Sequence, residues 1–129
     1  MSGRWRLALL AFTLSNVATM TAQGPAVDRV MRKKLEVSQQ ILEAVVTSRW
    51  AELQARSRDL ENLTNDPEWR VLTTPEYARH GNAFRQAVRT LRDAAAKQDL
   101  EATPKAYVTM TLSCVECHRY LARNRLAGR

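Results

Sequence analysis

The sequence has few of the residues that interrupt helices and few of those that favour strands. Gly and Pro occur four times each in 129 residues, and aromatic residues make up 6% of the chain. No segment alternates apolar and polar residues as a half-buried strand does, and no internal repeat, low-complexity segment or long linker stands out. These absences predict one all-α domain, and the 45% of apolar residues is enough for a single core.

Acidic residues are missing from the N-terminal segment, where the first one is Asp28. Arg4 and Arg6 precede an apolar run at residues 7–12, and a stretch of small residues follows as far as Ala22. A basic start, a short apolar run and a small-residue end are the parts of a secretory signal peptide. The run is shorter than the roughly 20 apolar residues that span a bilayer, which leaves an uncleaved membrane anchor as the alternative.

We therefore expect residues 1–22 to be a signal peptide and residues 23–129 to be one exported domain in the periplasm. The chain has a formal net charge of +7, and cleavage removes two arginines and no acid, so the mature chain stays basic. This charge favours encounter with acidic partner proteins. The basic residues form no run, so simple solubility explains the charge equally well.

The chain contains only two cysteines, Cys114 and Cys117, and both belong to one motif. With His118 they form C-x-x-C-H, the attachment signature of a c-type haem. Two thiols at this spacing can add to the two vinyl groups of one porphyrin, and the adjoining imidazole then binds the iron as an axial ligand. The motif predicts one covalent haem c.

Two other uses of a C-x-x-C pair are open. A structural zinc site takes about four nitrogen or sulfur ligands; the motif supplies three, and His80 is the one other histidine. A thioredoxin-like dithiol belongs to a βαβ context, whereas both flanks of this motif predict one helix. Haem attachment fits the sequence best.

Apolar residues at helical spacing predict four helices with short connections. The first covers about residues 26–46, the second ends near residue 63, the third covers about 75–97 and the last ends near 126. Four amphipathic helices of this kind predict an antiparallel up-down-up-down bundle, a class that holds cofactors in its core.

Sequence signals for helix starts accompany this pattern. Thr47-Ser48 offers a break and an N-cap for the second helix, and Asp66-Pro67 predicts a short turn that carries Trp69. Thr74-Pro75 predicts the start of the third helix. For the last helix Asp99 and Thr103-Pro104 compete, and the Thr-Pro pair is the stronger signal.

All four helices have a predicted buried face. The apolar stripe of the first helix comprises Val27, Met31, Leu35, Leu42 and Val45, with Ser38 among them and Ile41 and Val46 on its flanks. That of the second comprises Trp50, Leu53, Leu60 and Leu63. That of the third comprises Tyr77, Gly81, Phe84, Val88, Leu91 and Ala95. That of the last comprises Tyr107, Thr111, Cys114, Val115 and His118.

A second axial ligand is expected near the start of the first or the third helix, because in that topology both starts lie at the same end as His118. Met31 is central on its apolar face, and a thioether is a common partner of histidine on haem iron. Its alternative role is to fill core space. His80 lies at the edge of its stripe and is expected to be solvated, although it would give bis-histidine ligation if Met31 does not bind.

A four-helix bundle with Cys114, Cys117 and His118 in its last helix resembles the class II cytochromes c, which comprise cytochrome c-prime and its low-spin relatives. The resemblance covers about residues 26–126. In that family the first helix presents a methionine to the distal haem face in low-spin members and an apolar non-ligand in cytochrome c-prime. Met31 is similar to the former.

The chain departs from the cytochrome c-prime pattern after the histidine. Leu121 and Ala122 stand where that protein usually has an aromatic residue and then an arginine or lysine. This puts a haem-side role for an arginine directly after the motif in doubt, although Arg123 and Arg125 are candidates to pair with haem propionates.

The expected function is electron transfer by an exported monohaem cytochrome that is not an enzyme, because His118 and Met31 together leave no open position on the iron. The alternative is a five-coordinate, cytochrome c-prime-like protein that binds nitric oxide or carbon monoxide. Expected partners are redox proteins and not nucleic acid, and the resemblance makes a homodimer through the first two helices an option.

Overall fold

The computed structural model describes residues 24–127, and side chains within residues 27–124. The predicted signal peptide at residues 1–22 lies outside the described residues. Within the described range all regular structure is helical, with four α-helices and one short 3₁₀ turn. None of these helices is long and apolar enough to cross a membrane.

The four helices agree closely with the predicted ones in position. Helix α1 spans Gly24–Val46, α2 spans Trp50–Leu63, α3 spans Pro75–Ala96 and α4 spans Ala102–Ala127, while the 3₁₀ turn spans Pro67–Trp69. The prediction of an all-helical, four-helix domain is therefore confirmed.

Two of the predicted caps are present. Asp66 opens the 3₁₀ turn, and its carboxylate accepts a hydrogen bond from the backbone N–H of Glu68 at 2.9 Å. Thr74 caps α3 through a hydrogen bond from the N–H of Tyr77 at 3.2 Å, with Pro75 at the first helical position. Both caps satisfy N–H groups that have no partner inside the helix.

The other two cap predictions are wrong. Thr47-Ser48 breaks the chain, with Ser48 at a φ of 54°, but Arg49 precedes α2 and makes no side-chain cap. At the start of α4 the carboxylate of Asp99 accepts the N–H groups of Glu101 and Ala102 at 3.0 and 2.8 Å. Thr103 is buried instead, and its hydroxyl has no hydrogen-bond partner in the described structure.

The helices pack in chain order, α1 against α2, α2 against α3 and α3 against α4. Their buried side chains form one core, to which all four helices contribute; its largest fully buried members are Phe84, Ile41, Leu53, Leu60, Leu91 and Met110. The predicted stripe of α3 is buried throughout. Helices α1 and α4 contact each other much less than the neighbouring pairs do.

The predicted buried face of α1 is correct only at its edge, where Met31 and Val45 are partly buried against the core. Leu35 and Leu42 are 60% and 45% exposed, and the residues that are buried on this helix are Val30, Lys34, Val37, Ile41 and Ala44. The true stripe is displaced by one residue, or about 100° around the helix axis. The apolar periodicity had selected the face of α1 that lies toward α4, where the two helices are not in close contact.

Candidate functional site

A groove of about 900 Å³ lies between α1 and α4. Its α1 wall contains Asp28, Met31, Arg32, Lys34, Leu35 and Ser38, and its α4 wall contains Tyr107, Met110, Thr111, Cys114, Val115, His118, Arg119 and Ala122. This volume is within the range of roughly 300–1,000 Å³ for pockets that hold small molecules and cofactors.

The stripes that the sequence predicted as buried on α1 and α4 meet in this groove. Met31 and Leu35 belong to the predicted stripe of α1, and every member of the predicted stripe of α4 lines the opposite wall. Met31 and Leu35 on α1, and Cys114 and Val115 on α4, give both walls apolar side chains at helical spacing. On these two helices the apolar pattern marks groove walls, whereas on α3 it marks the contacts between helices.

The C-x-x-C-H motif lies entirely within α4. Cys114 and His118 are four residues apart, which places them one above the other on the same face of the helix, and both line the groove. The thiol of Cys114 is half-buried and donates a hydrogen bond to the carbonyl oxygen of Met110 at 3.4 Å. The imidazole of His118 is exposed.

Cys117 lies on the neighbouring face of α4 and is not part of the groove lining. It is half-buried, and this burial raises the pKa of its thiol, while the positive charge of Lys34 lowers it. Cys114 thus belongs to the groove lining, whereas Cys117 is half-buried outside it.

Met31 lies on the wall opposite His118. Its side chain is half-buried and packs against the edge of the hydrophobic core. The structure thereby brings together in one groove three of the four residues that the sequence singled out: Met31, Cys114 and His118.

Sequence reasoning missed Lys34, which is 7% exposed. Its Nζ lies 3.8 Å from the ring centroid of Phe84 and 4.4 Å from that of Trp69. Such positions over aromatic rings favour a cation. Among the side chains that the structure describes, none forms a salt bridge with Lys34, so the ammonium is buried beside the groove without a counter-charge.

Burial is the main influence on the pKa of Lys34 and lowers it, because a charged amine loses hydration inside the protein. The thiols of Cys114 and Cys117 act in the opposite direction and raise it. The sequence did carry a signal for this residue: it lies between Val30 and Val37 at the spacing of one helix face.

The expectation that His80 is solvated is wrong. His80 is 6% exposed, its ring centroid lies 5.2 Å from that of Tyr120, and its Nε2 lies 3.6 Å from a carboxylate oxygen of Glu76. Tyr120, from the last turns of α4, covers this edge of α3 and also forms a 2.8 Å hydrogen bond with the hydroxyl of Thr74. His80 does not line the groove.

Among the described side chains, the arginines that line the groove are not the two that the sequence suggested as partners of haem propionates, Arg123 and Arg125. Arg32 of α1 and Arg119 of α4 line it. Arg123 is exposed and lies outside the lining, and the side chain of Arg125 lies outside the described residues. Position relative to the motif did not reveal which arginines border the groove, because that depends on the packing of α1 near α4.

No group of three or more His, Cys, Asp or Glu side chains suited to a metal ion occurs in the part of the chain that the structure describes. The fourth ligand that the zinc alternative requires is therefore not supplied by His80 in this structure. What the groove offers to an iron centre is one imidazole and one thioether on facing walls, with a thiol beside the imidazole.

Comparisons with known protein families, with curated proteins and with solved structures found no significant match.

Proposed function

We propose that the chain is an exported, periplasmic monohaem c-type cytochrome that transfers electrons, built as an antiparallel up-down-up-down bundle. Its haem would be held by thioether bonds to Cys114 and Cys117, with His118 and Met31 as axial ligands. The observation that carries the proposal is the groove between α1 and α4, with Met31 on one wall and Cys114 and His118 on the other.

Contacts between helix ends support the proposed topology. The start of α3 is bound to the end of α4 through Thr74 and Tyr120, and the first turns of α1 are bound to the 3₁₀ turn through a 2.6 Å salt bridge between Arg29 and Glu68. Together with the shared groove, these contacts support a topology in which Met31 and His118 lie at the same end of the bundle.

Exposed apolar side chains support a cofactor in the groove. Leu35 is 60% and Val115 40% exposed, although both belong to the groove lining. Contiguous exposed apolar surface commonly marks a ligand site. A porphyrin between the two walls would cover these side chains, and each Å² of apolar surface removed from water contributes about 25 cal/mol.

A bound haem supplies a one-electron ferric/ferrous couple. The residues of the chain would hold the haem and control access to its iron. His118 and Met31 would occupy both axial positions and keep substrates from the iron, so we propose no catalytic residue. Arg32 and Arg119 line the groove and would offset the negative charge of the propionates.

We propose acidic redox proteins as partners, since the basic surface would raise the rate of encounter with them. The exposed side chains of Leu42 and Val46 on α1 are consistent with the option of a homodimer.

The second candidate is a five-coordinate haem protein that binds nitric oxide or carbon monoxide. The observation that favours it is Leu35, which lies one turn from Met31 on the same wall. If this apolar side chain covered the distal face in place of the thioether, the iron would keep an open position.

The test of covalent haem attachment is production of the full chain in a host that matures c-type cytochromes, followed by denaturation. We expect the haem to stay attached to the wild type and to be lost from the double variant Cys114→Ser, Cys117→Ser. A matched control is Ser113→Ala, which changes a neighbouring side chain and leaves the motif intact. Wild-type chain that releases all its haem on denaturation would contradict the proposal.

A further inference from the structure

The ammonium of Lys34 has no partner that accounts for its burial. It lies against the rings of Phe84 and Trp69, and none of the described acidic side chains is paired with it. Moving a charged amine out of water is costly unless it is paired. The ring faces offset only part of this cost, since a cation over an aromatic ring gains about 0.5–2 kcal/mol.

The fold itself does not require a charge at this position. Val30, Val37 and Ile41 fill the same face of α1 with apolar side chains, and a neutral side chain at position 34 would pack there without loss of hydration. A cation that is held beside a groove at a cost to stability points to a role for its charge in that groove.

Lys34 is part of the groove wall that carries Met31, and Cys114 and His118 line the other wall of the same groove. Its charge therefore borders the groove proposed to hold the haem, one helical turn from Met31. The Nζ of Lys34 lies against the buried rings of Phe84 and Trp69, and only 7% of the residue is exposed to solvent.

We propose that Lys34 sets the reduction potential of the haem by holding a positive charge beside the groove, which favours the reduced state. This inference rests on the proposed function. Reduction adds one electron to the haem and lowers its net charge by one. A nearby cation attracts that electron, and its effect is larger in a poorly hydrated interior than in water, because the effective dielectric constant is smaller.

The substitution that tests this is Lys34→Gln, which removes the charge, beside Lys34→Arg, which retains it. Lys33→Gln is the matched control, because Lys33 is the adjacent residue and carries the same charge on an exposed side chain paired with Glu36. If Lys34→Gln does not fold, Lys34→Leu provides a second neutral variant that packs as an apolar residue.

The measurement is a spectroelectrochemical titration of the haem-loaded proteins at about pH 6, far below the ordinary pKa of lysine. We expect Lys34→Gln to shift the potential to lower values, by much more than Lys33→Gln does, and Lys34→Arg to stay near the wild type. The shift from Lys34→Gln should persist in 1 M salt, where the Debye length is about 3 Å and an exposed charge is screened.

A potential of Lys34→Gln that equals that of Lys33→Gln, with an unchanged low-spin spectrum, would overturn the inference. So would a change from low spin to high spin in both neutral variants, because Lys34 would then be an iron ligand. Failure of the proposed function has a different signature, namely the absence of covalent haem or a high-spin wild type.

Discussion

The role of Met31 depends on whether the groove holds a haem. It is half-buried, at the border between the core and the groove. A methionine in such a place either fills space or binds the iron, and its flexible thioether can do both. Its position on the wall opposite His118 favours ligation.

Substitution of Met31 by leucine separates these roles, because leucine has a similar volume and no sulfur. We expect Met31→Leu to change a low-spin absorption spectrum to a high-spin one with little loss of stability. Met110→Leu is the control, since Met110 is a buried methionine two turns before His118 on the same helix and should leave the spectrum unchanged. An unchanged low-spin spectrum in Met31→Leu would show that a group other than Met31 binds the iron opposite His118.

The roles and the burial of individual residues could be predicted from the sequence to different extents. Cys114, Cys117 and His118 are evident from their spacing alone, because the signature is local. The burial of Lys34 and His80 depends on contacts from distant parts of the chain, Trp69 in one case and Tyr120 in the other. Periodicity within one helix carries no information about such contacts.

At the scale of elements, Glu61 joins α2 to α3. Its carboxylate accepts hydrogen bonds from Arg89 at 2.7 Å and from Arg92 at 2.6 Å. The hydrogen bond from Arg89 is the main cause that lowers the pKa of Glu61, and Arg92 adds to it. Because the folded state holds this carboxyl ionised, the pair stabilises the fold above the ordinary pKa of a glutamate and ceases to do so as the pH falls through the lowered value.

We expect Glu61→Gln to lower the free energy of unfolding at pH 7 by about 1 kcal/mol or less. The difference from the wild type should be smaller at about pH 3, because below the ordinary pKa of a glutamate the unfolded wild-type chain takes up a proton at this carboxyl, which favours unfolding. Urea denaturation at both pH values measures this, with Glu36→Gln as a control for an exposed pair within α1. A difference that is the same at both pH values would show that the ion pairs do not stabilise the fold.

The positions of the helices could be predicted from the sequence. Their buried faces and their N-caps could be predicted only in part. Proline at the first turn identified the start of α3, because the residue acts locally. At α4 the Asp99 carboxylate outcompeted the Thr-Pro pair, since a negative charge at a helix N-terminus also interacts favourably with the helix dipole. The buried face of α1 was predicted one residue away from its observed position. An apolar stripe alone does not indicate whether a neighbouring helix or another group will cover it.

At the scale of the whole molecule, the fold combines a core closed by neighbouring helices with a groove between the first and the last. The core accounts for the stability of the four-helix domain. The groove accounts for two of the apolar side chains that the core leaves exposed, Leu35 of α1 and Val115 of α4. Electron transfer is the function we propose for this groove, in which Met31 and His118, the proposed iron ligands, lie on different walls.

The most direct test is the absorption spectrum of the haem-loaded ferrous protein, recorded with and without carbon monoxide. If His118 and Met31 both bind the iron, the spectrum is low-spin and carbon monoxide leaves it largely unchanged. A high-spin ferrous spectrum that shifts readily on addition of carbon monoxide would contradict the electron-transfer proposal and favour the gas-binding alternative.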